Sequence, residues 1–317
     1  MTLPLTRGSN GTSVGELRRR LALLDYATDP DPRDQFGQAT HEAIAAFQAD
    51  HGLDPTGECD HATWTMVIES EHSLGDRLLC LRAPMLRGED VADLQLRLGT
   101  LGFDSGRVDG IFGPSTQGAL GEFQRNAGIV FDQICGPDTV AALHRLEGRA
   151  GSSTVASVRE RVKLQTSAPG MERLRISIGA YGPDVLTASA LAAMLAPLCA
   201  AVQVTEGEDS TQASAANGFD ADVHLAIEFT PTDEIEARYF SVPGFESWGG
   251  RSLAEAMISE LPATGLGIAR GMRLPILRET RAPAVSVRIG HGLGAPKHRD
   301  LVAASMVRAL TRWATTD

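Results

Sequence analysis

Lysine is nearly absent from this 317-residue chain, with two against 27 arginines, and cysteine and aromatic residues are scarce too. The four cysteines, Cys59, Cys80, Cys135 and Cys199, stand far apart with no C-x-x-C pair. That spacing excludes a disulfide framework and a zinc knuckle as organising devices. A basic stripe is missing as well: the net charge is −11, which excludes nucleic acid as a partner. The acid is concentrated in residues 1–149, with 13 Lys/Arg against 22 Asp/Glu, whereas residues 150–317 hold 16 against 18. No long apolar run occurs. The uncharged residues 185–205 are rich in Ala, Ser and Thr, are interrupted by Pro197 and end in Val202-Gln203-Val204. This is the pattern of a buried helix running into a strand, not of a membrane span. The opening residues through Gly11 lack the basic segment and apolar core of an export signal, so a soluble cytoplasmic protein is expected.

With 43% apolar and 22% charged residues, the composition is globular and the length suits two or three domains. An internal repeat organises the first half. Val14, Leu17, Leu21 and Leu24 recur at helical spacing as Val91, Leu94, Leu98 and Leu101. Phe36-Gly37, Thr40, Ala43-Ile44 and Phe47-Gln48 recur as Phe112-Gly113, Thr116, Ala119-Leu120 and Phe123-Gln124, and Cys59 and Thr63 recur as Cys135 and Thr139. The offset is 77 residues before the loop and 76 after it, so the loop has changed length by one residue. Each repeat reads as a three-helix bundle, with the apolar residues as its core, Thr40 and Thr116 as helix N-caps and Asp138 opening the last helix. The expected boundaries are 1–76 and 77–146 for the repeats and 147–172 for a Gly/Ser/Pro linker with a short polar helix near residues 155–164.

Val108-Asp109-Gly110-Ile111-Phe112-Gly113, with Thr116 and Phe123-Gln124, resembles the type-1 peptidoglycan-binding domain. The resemblance implies Asp109, Gly110, Phe112 and Gly113 as ligand-loop residues. The first repeat carries Asp34-Gln35 in place of Asp-Gly and has a longer Asp29-Pro30-Asp31-Pro32 loop.

From residue 173 onward, strand-like runs at 174–178, 202–204, 223–227 and 285–289 alternate with helical segments near 186–198, 252–261 and 301–314. Alternation of this kind predicts an α/β domain whose mostly parallel sheet is covered on both faces. Its motifs resemble the amidase-3 type of zinc N-acetylmuramoyl-L-alanine amidase: Ala215-Ala216-Asn217, Ala221-Asp222, Thr264-Gly265-Leu266, Leu277-Arg278-x-Thr280 and Pro283-Ala284-Val285 follow its pattern in order. The resemblance implies two histidine ligands, a carboxylate ligand and a glutamate base. At those positions this chain has Gly182, Glu228, Asp184 and Arg288 respectively. Glycine has no ligating side chain, and a guanidinium has no lone pair with which to take a proton. The expectation is therefore no catalytic residues, no metal and no cofactor, with Glu228 and Arg288 paired to each other. His224 shares a strand face with Glu228 but lies about 13 Å from it along the strand, too far to chelate with it. His291 and His298 read as parts of a Gly-rich turn.

Two type-1 repeats ahead of a degenerate amidase-3 body resemble the CwlM-type amidase homologues of actinobacteria. That resemblance implies a pseudoenzyme that binds and stimulates the UDP-N-acetylglucosamine enolpyruvyl transferase of cytoplasmic peptidoglycan precursor synthesis. It further implies links to a lipid II flippase, a forkhead-associated adaptor and a serine/threonine protein kinase. Thr315 and Thr316 are the candidate phospho-acceptors, in place of the threonine-rich tail of that family. Two alternatives stay open: a zinc amidase with an atypical site, and a pure peptidoglycan-precursor-binding module.

Overall fold

The computed structural model describes residues 2–146, 154–166, 170–232, 234–262, 267–290, 293 and 296–315. The motif at Thr264-Gly265-Leu266, the candidate Thr316, His291 and parts of the linker lie outside the described residues. Two compact units divide the chain, Met1–Val158 and Arg159–Asp317.

The first unit holds both repeats. Helices α1 (Thr12–Leu23), α2 (Gln38–Asp50) and α3 (His61–Glu69) form one, and α4 (Glu89–Thr100), α5 (Pro114–Ala127) and α6 (Pro137–Arg145) the other. The repeated apolar positions are the two cores, with Leu17, Leu21, Ile44 and Phe47 buried in the first and Leu94, Leu98, Phe112 and Leu120 in the second. Leu5 bridges to Cys59 as Leu79 does to Cys135, which closes each repeat between its entry segment and its last loop.

Buried glutamines pin the loops. Gln124 donates to Asp132, the Ile134 carbonyl and Thr139, while its carbonyl accepts from the Gln133 N–H. Gln95 does the same one loop earlier, donating to Asp109, the Ile111 carbonyl and Thr116 and accepting from the Gly110 N–H. In the first repeat Gln48 keeps this role, but Arg18 stands where Gln95 stands in the second. Arg18 donates to the Thr28 hydroxyl and carbonyl and to the Pro32 carbonyl, so the longer loop is wrapped around a guanidinium. Thr40 and Thr116 are not N-caps. Gly37 and Gly113 occupy the cap positions, and the threonines lie inside the first turn with buried hydroxyls. Asp31 instead accepts the Gly37 and Thr40 N–H groups and the Thr40 hydroxyl, a carboxylate at a helix N-terminus.

Helix α7 (Val155–Thr166) spans the division between the units. The second unit continues with α8 (Gly170–Arg173), β1 (Arg175–Ala180), α9 (Val185–Leu195), β2 (Ala201–Glu206), α10 (Asp209–Gly218), β3 (Val223–Thr230), β4 (Ile235–Val242) and β5 (Phe245–Glu246). It ends with α11 (Trp248–Glu260), β6 (Gly267–Met272), α12 (Pro275–Glu279), β7 (Ala284–Gly290) and α13 (Arg299–Thr315). The sheet runs β2-β1-β3-β7-β4-β5, with β6 paired to β4. Strands β1, β2, β3 and β7 are parallel, and β4 is antiparallel to β7.

Alternation along these strands separates two unlike faces. One carries Ile176, Ile178, Leu225, Ile227, Val285 and Val287, and packs on α9, α11 and α13 as the main core. The other carries Ser177, Gly179, His224, Glu228, Ser286, Arg288 and, from β4, Glu236 and Arg238. Helices α10 and α12 pack on this second side. Helix α11 starts at Ser247, whose hydroxyl accepts from the Gly250 N–H and donates to Glu160 of α7 at 2.7 Å. Glu160 also accepts the Trp248 N–H, so the expected linker helix helps to hold the start of α11. Among the described residues no helix is long and apolar enough to cross a membrane.

Candidate functional site

The polar face ends in a cluster at the carboxyl ends of β1, β3 and β7. In this sheet β2 and β3 flank β1 on opposite sides, so the order reverses between β1 and β3, and open α/β sheets bind ligands outside such a reversal. Glu228 and Arg288 are register partners on β3 and β7. Arg288 Nε lies 3.1 Å from Glu228 Oε2 and Nη2 lies 3.4 Å from Oε1, a fork on a carboxylate. Arg238, 2% exposed, brings a second guanidinium to Glu228 at 3.9 Å and pairs with Glu236 at 3.2 Å. Arg270 of β6 reaches Glu236 at 3.9 Å. The ion pair expected from the sequence is thus one link in a chain of alternating charges across four strands.

Asp184 follows β1 in a short 3-10 turn that begins at Gly182, whose φ is 50°. Its carboxylate accepts the Phe229 N–H at 3.1 Å, which ties the turn to the end of β3. Burial raises the Asp184 pKa, the Phe229 hydrogen bond opposes that rise, and the nearby Glu228 charge adds to it. Beside it, Tyr181 donates to Asp209 at 2.5 Å, and Asp209 also accepts the Ile276 N–H. Burial raises the pKa of both Tyr181 and Asp209, with the Asp209 charge adding to the rise of Tyr181.

Zinc of the amidase type needs three nitrogen or oxygen ligands, an open position for water and a nearby proton acceptor. The donor set here does not fit it. At the positions that the amidase resemblance implies, Gly182 has no ligating side chain, Glu228 is engaged by two guanidiniums, and Arg288 is a cation. Deeper on the same face, His224 is fully buried with Nδ1 3.1 Å from the Ser177 hydroxyl, and burial lowers its pKa to about 4. Sequence reasoning found Glu228, Arg288 and Asp184 but missed Arg238, Glu236, Tyr181 and Asp209. The alternation Ile235-Glu236-Ala237-Arg238-Tyr239 was the available signal for the first two, because it repeats the polar/apolar pattern of β3 and β7.

Asp109, Gly110, Phe112 and Gly113, the residues expected to form a ligand loop, lie between α4 and α5. Phe112 is a fully buried core residue, and Gly113 caps α5. Asp109 accepts from Gln95 and from the Ile111 N–H, and Gly110, at φ 71°, donates to Gln95. The motif builds the loop from within. Thr315, the described candidate phospho-acceptor, is exposed and hydrogen-bonds the Thr311 carbonyl.

Residues 10–67 and 87–143 each match the PG_binding_1 family, the "Putative peptidoglycan binding domain". N-acetylmuramoyl-L-alanine amidase CwlM of Mycobacterium tuberculosis is 32% identical over 346 aligned residues, covering 95% of this chain and 85% of that protein. N-acetylmuramoyl-L-alanine amidase CwlL of Bacillus licheniformis is 26% identical over 163 residues, 45% of each chain. Among solved structures, N-acetylmuramoyl-L-alanine amidase AmiC2 of Nostoc punctiforme aligns at 17% identity and a TM-score of 0.36, over 46% of this chain and all of that one.

Proposed function

Because the chain belongs to the CwlM family of amidase homologues, we propose that it is a non-catalytic regulator of peptidoglycan precursor synthesis. The observation that carries the non-catalytic part is the Arg288–Glu228 fork at 3.1 Å. In the register that the amidase resemblance implies, position 288 is that of the proton acceptor, and a permanent cation there, bonded to the neighbouring carboxylate, supports the reading. Loss of a general base alone lowers a rate by roughly 10²–10⁴.

In this reading the amidase-type body and the two repeats serve binding. The partner is the enolpyruvyl transferase that acts on UDP-N-acetylglucosamine, met in the cytoplasm. The flippase, the forkhead-associated adaptor and the kinase belong to the same proposal, and Thr315 and Thr316 are its phosphorylation sites. The test is the steady-state rate of that transferase with and without the full chain, run beside muropeptide release from sacculi in zinc-supplemented buffer. A rise in transferase rate with no release of wall fragments supports the reading. Unchanged transferase kinetics, or cleavage of the muramoyl–alanine amide, overturns it.

A further inference from the structure

The sheet of the second unit has two edges, and they are guarded unequally. At one stand β5, two residues long, and β6, which carries Arg270 with a side chain 53% exposed and glycines at 267 and 271. A short strand, an exposed charge and glycine all discourage a further strand from pairing. At the other edge stands β2, paired among the described residues with β1 alone. Its residues Ala201-Val202-Gln203-Val204-Thr205 include no charge, no proline and no glycine. Such an edge offers a row of outward N–H and C=O groups, which a further strand satisfies together. The flanks are neutral as well. Helix α9 ends the row α11-α13-α9 on the core side of β2, and its exposed residues Leu186, Ser189 and Ala193 are uncharged. On the polar side the exposed Ser210, Thr211 and Ser214 of α10 are uncharged too.

Charge and symmetry say which strand belongs there. Residues 185–205 hold no charge in a chain whose net charge is −11. Two copies of so acidic a chain repel one another except where neither presents charge, and an isologous contact sets one patch against itself. A two-fold axis normal to the sheet keeps each face on its own side, and residues directly opposed across antiparallel strands share a face. The axis must therefore pass through a residue. Centred on Val204 it sets Glu206 opposite Val202, and centred on Val202 it pairs only residues 201–203 of the strand. Centred on Gln203 it pairs all of 201–205. Val202 then lies opposite Val204 of the other copy, on the face that Ile176 and Ile178 give to the core, and Gln203 lies opposite itself. The two copies of Glu206 stand about 20 Å apart along the strands. That exceeds the Debye length of about 8 Å at physiological ionic strength. The same axis runs α9 antiparallel to its copy and brings the exposed Leu198 of one to the level of the exposed Leu186 of the other. We infer that β2 is the two-fold interface of a homodimer, in which the sheets of two copies join through residues 201–205.

Sedimentation equilibrium of the full chain should show a reversible dimer with a Kd below about 1 mM. Because residue 203 meets itself, Gln203→Lys and Gln203→Glu should each weaken the dimer at least about tenfold. An equimolar mixture of the two variants should restore it, since unlike charges then oppose one another. Circular dichroism and melting of each variant check that the fold is intact. Hydrogen exchange needs no variant: in the unsubstituted chain the amides of 202–205 should slow as concentration rises from about 10 μM to about 1 mM. A chain that stays monomeric up to about 1 mM, or a dimer indifferent to both substitutions, overturns the inference. So does weakening by both substitutions that mixing does not reverse, or exchange at 202–205 that concentration leaves unchanged.

Discussion

His224 gives the polar face of the sheet a measurable acid dependence. Its imidazole is enclosed between β1, β3 and the Gln212 side chain of α10, and a Cβ on Gly179 would collide with Gln212 and approach His224. Burial disfavours the charged ring and lowers its pKa from 6.5 to about 4. The unfolded chain therefore binds the proton more readily, and by linkage its proton uptake favours unfolding at lower pH. Stability from this group is complete above pH 6.5 and is lost as pH falls through the window from 6.5 to 4. Between pH 8 and pH 5 the loss comes to about 2 kcal/mol. His224→Gln removes the titration, so the variant should show a flatter decline in unfolding free energy over that range. Urea unfolding followed by Trp248 and Trp313 fluorescence, in a Trp64→Phe background, reads the second unit. Proton NMR gives a direct check: the imidazole signal that vanishes in His224→Gln should keep its neutral-form shift down to pH 5. A midpoint near 6.5 for that signal, or equal pH slopes for both proteins, refutes the reasoning.

The Glu228–Arg288 pair should behave as a coupled unit. Arg288→Ala leaves a partly buried carboxylate with only the more distant Arg238, so it should destabilise more than Glu228→Ala/Arg288→Ala does, with a coupling of about 1–3 kcal/mol. Equal destabilisation by the single and double changes, in the same fluorescence assay, argues against the pair. Gln95→Leu keeps the side-chain size but removes the donors and acceptor that serve Asp109, the Ile111 carbonyl, Thr116 and the Gly110 N–H. Its cost should reach about 3 kcal/mol, since each buried group left unpaired costs about 1–3 kcal/mol. Hydrogen exchange should show the Gly110 and Ile111 amides losing protection first, and an unchanged exchange pattern would contradict the pinning role.

The repeats were legible because their signal is periodic and local. Val14, Leu17 and Leu21 mark a buried helical face whatever the loops do, and the register with Val91, Leu94 and Leu98 doubles the signal. The caps were misread for a physical reason. A threonine after Phe-Gly looks like an N-cap, but here its hydroxyl serves a buried network centred on Gln95 or Asp31, which lies 21 or 9 residues away in sequence. Nothing within a short window announces that partner.

In the second unit the strands of the apolar core were legible as apolar runs, whereas Glu228 and Arg288 were singled out by the register of the amidase-3 motifs along β3 and β7. Strand β4 was missed because Glu236 and Arg238 break the apolar signal, and a charged residue in a short run ordinarily reads as loop. Only the register with β7, Glu236 beside Arg288 and Arg238 beside Ser286, shows that those charges are inside and answer one another. A buried Arg238, 2% exposed, is tolerable only because carboxylates stand within reach on both sides. Arg288 therefore does not stand alone: it completes a run of charges on β3, β4, β6 and β7. Arg288→Glu would stand beside Glu228 and Glu236 and set three carboxylates against Arg238 and the more distant Arg270. That variant should melt well below Arg288→Ala, and a melting temperature equal to or above that of Arg288→Ala would show that the charges on this face do not act together.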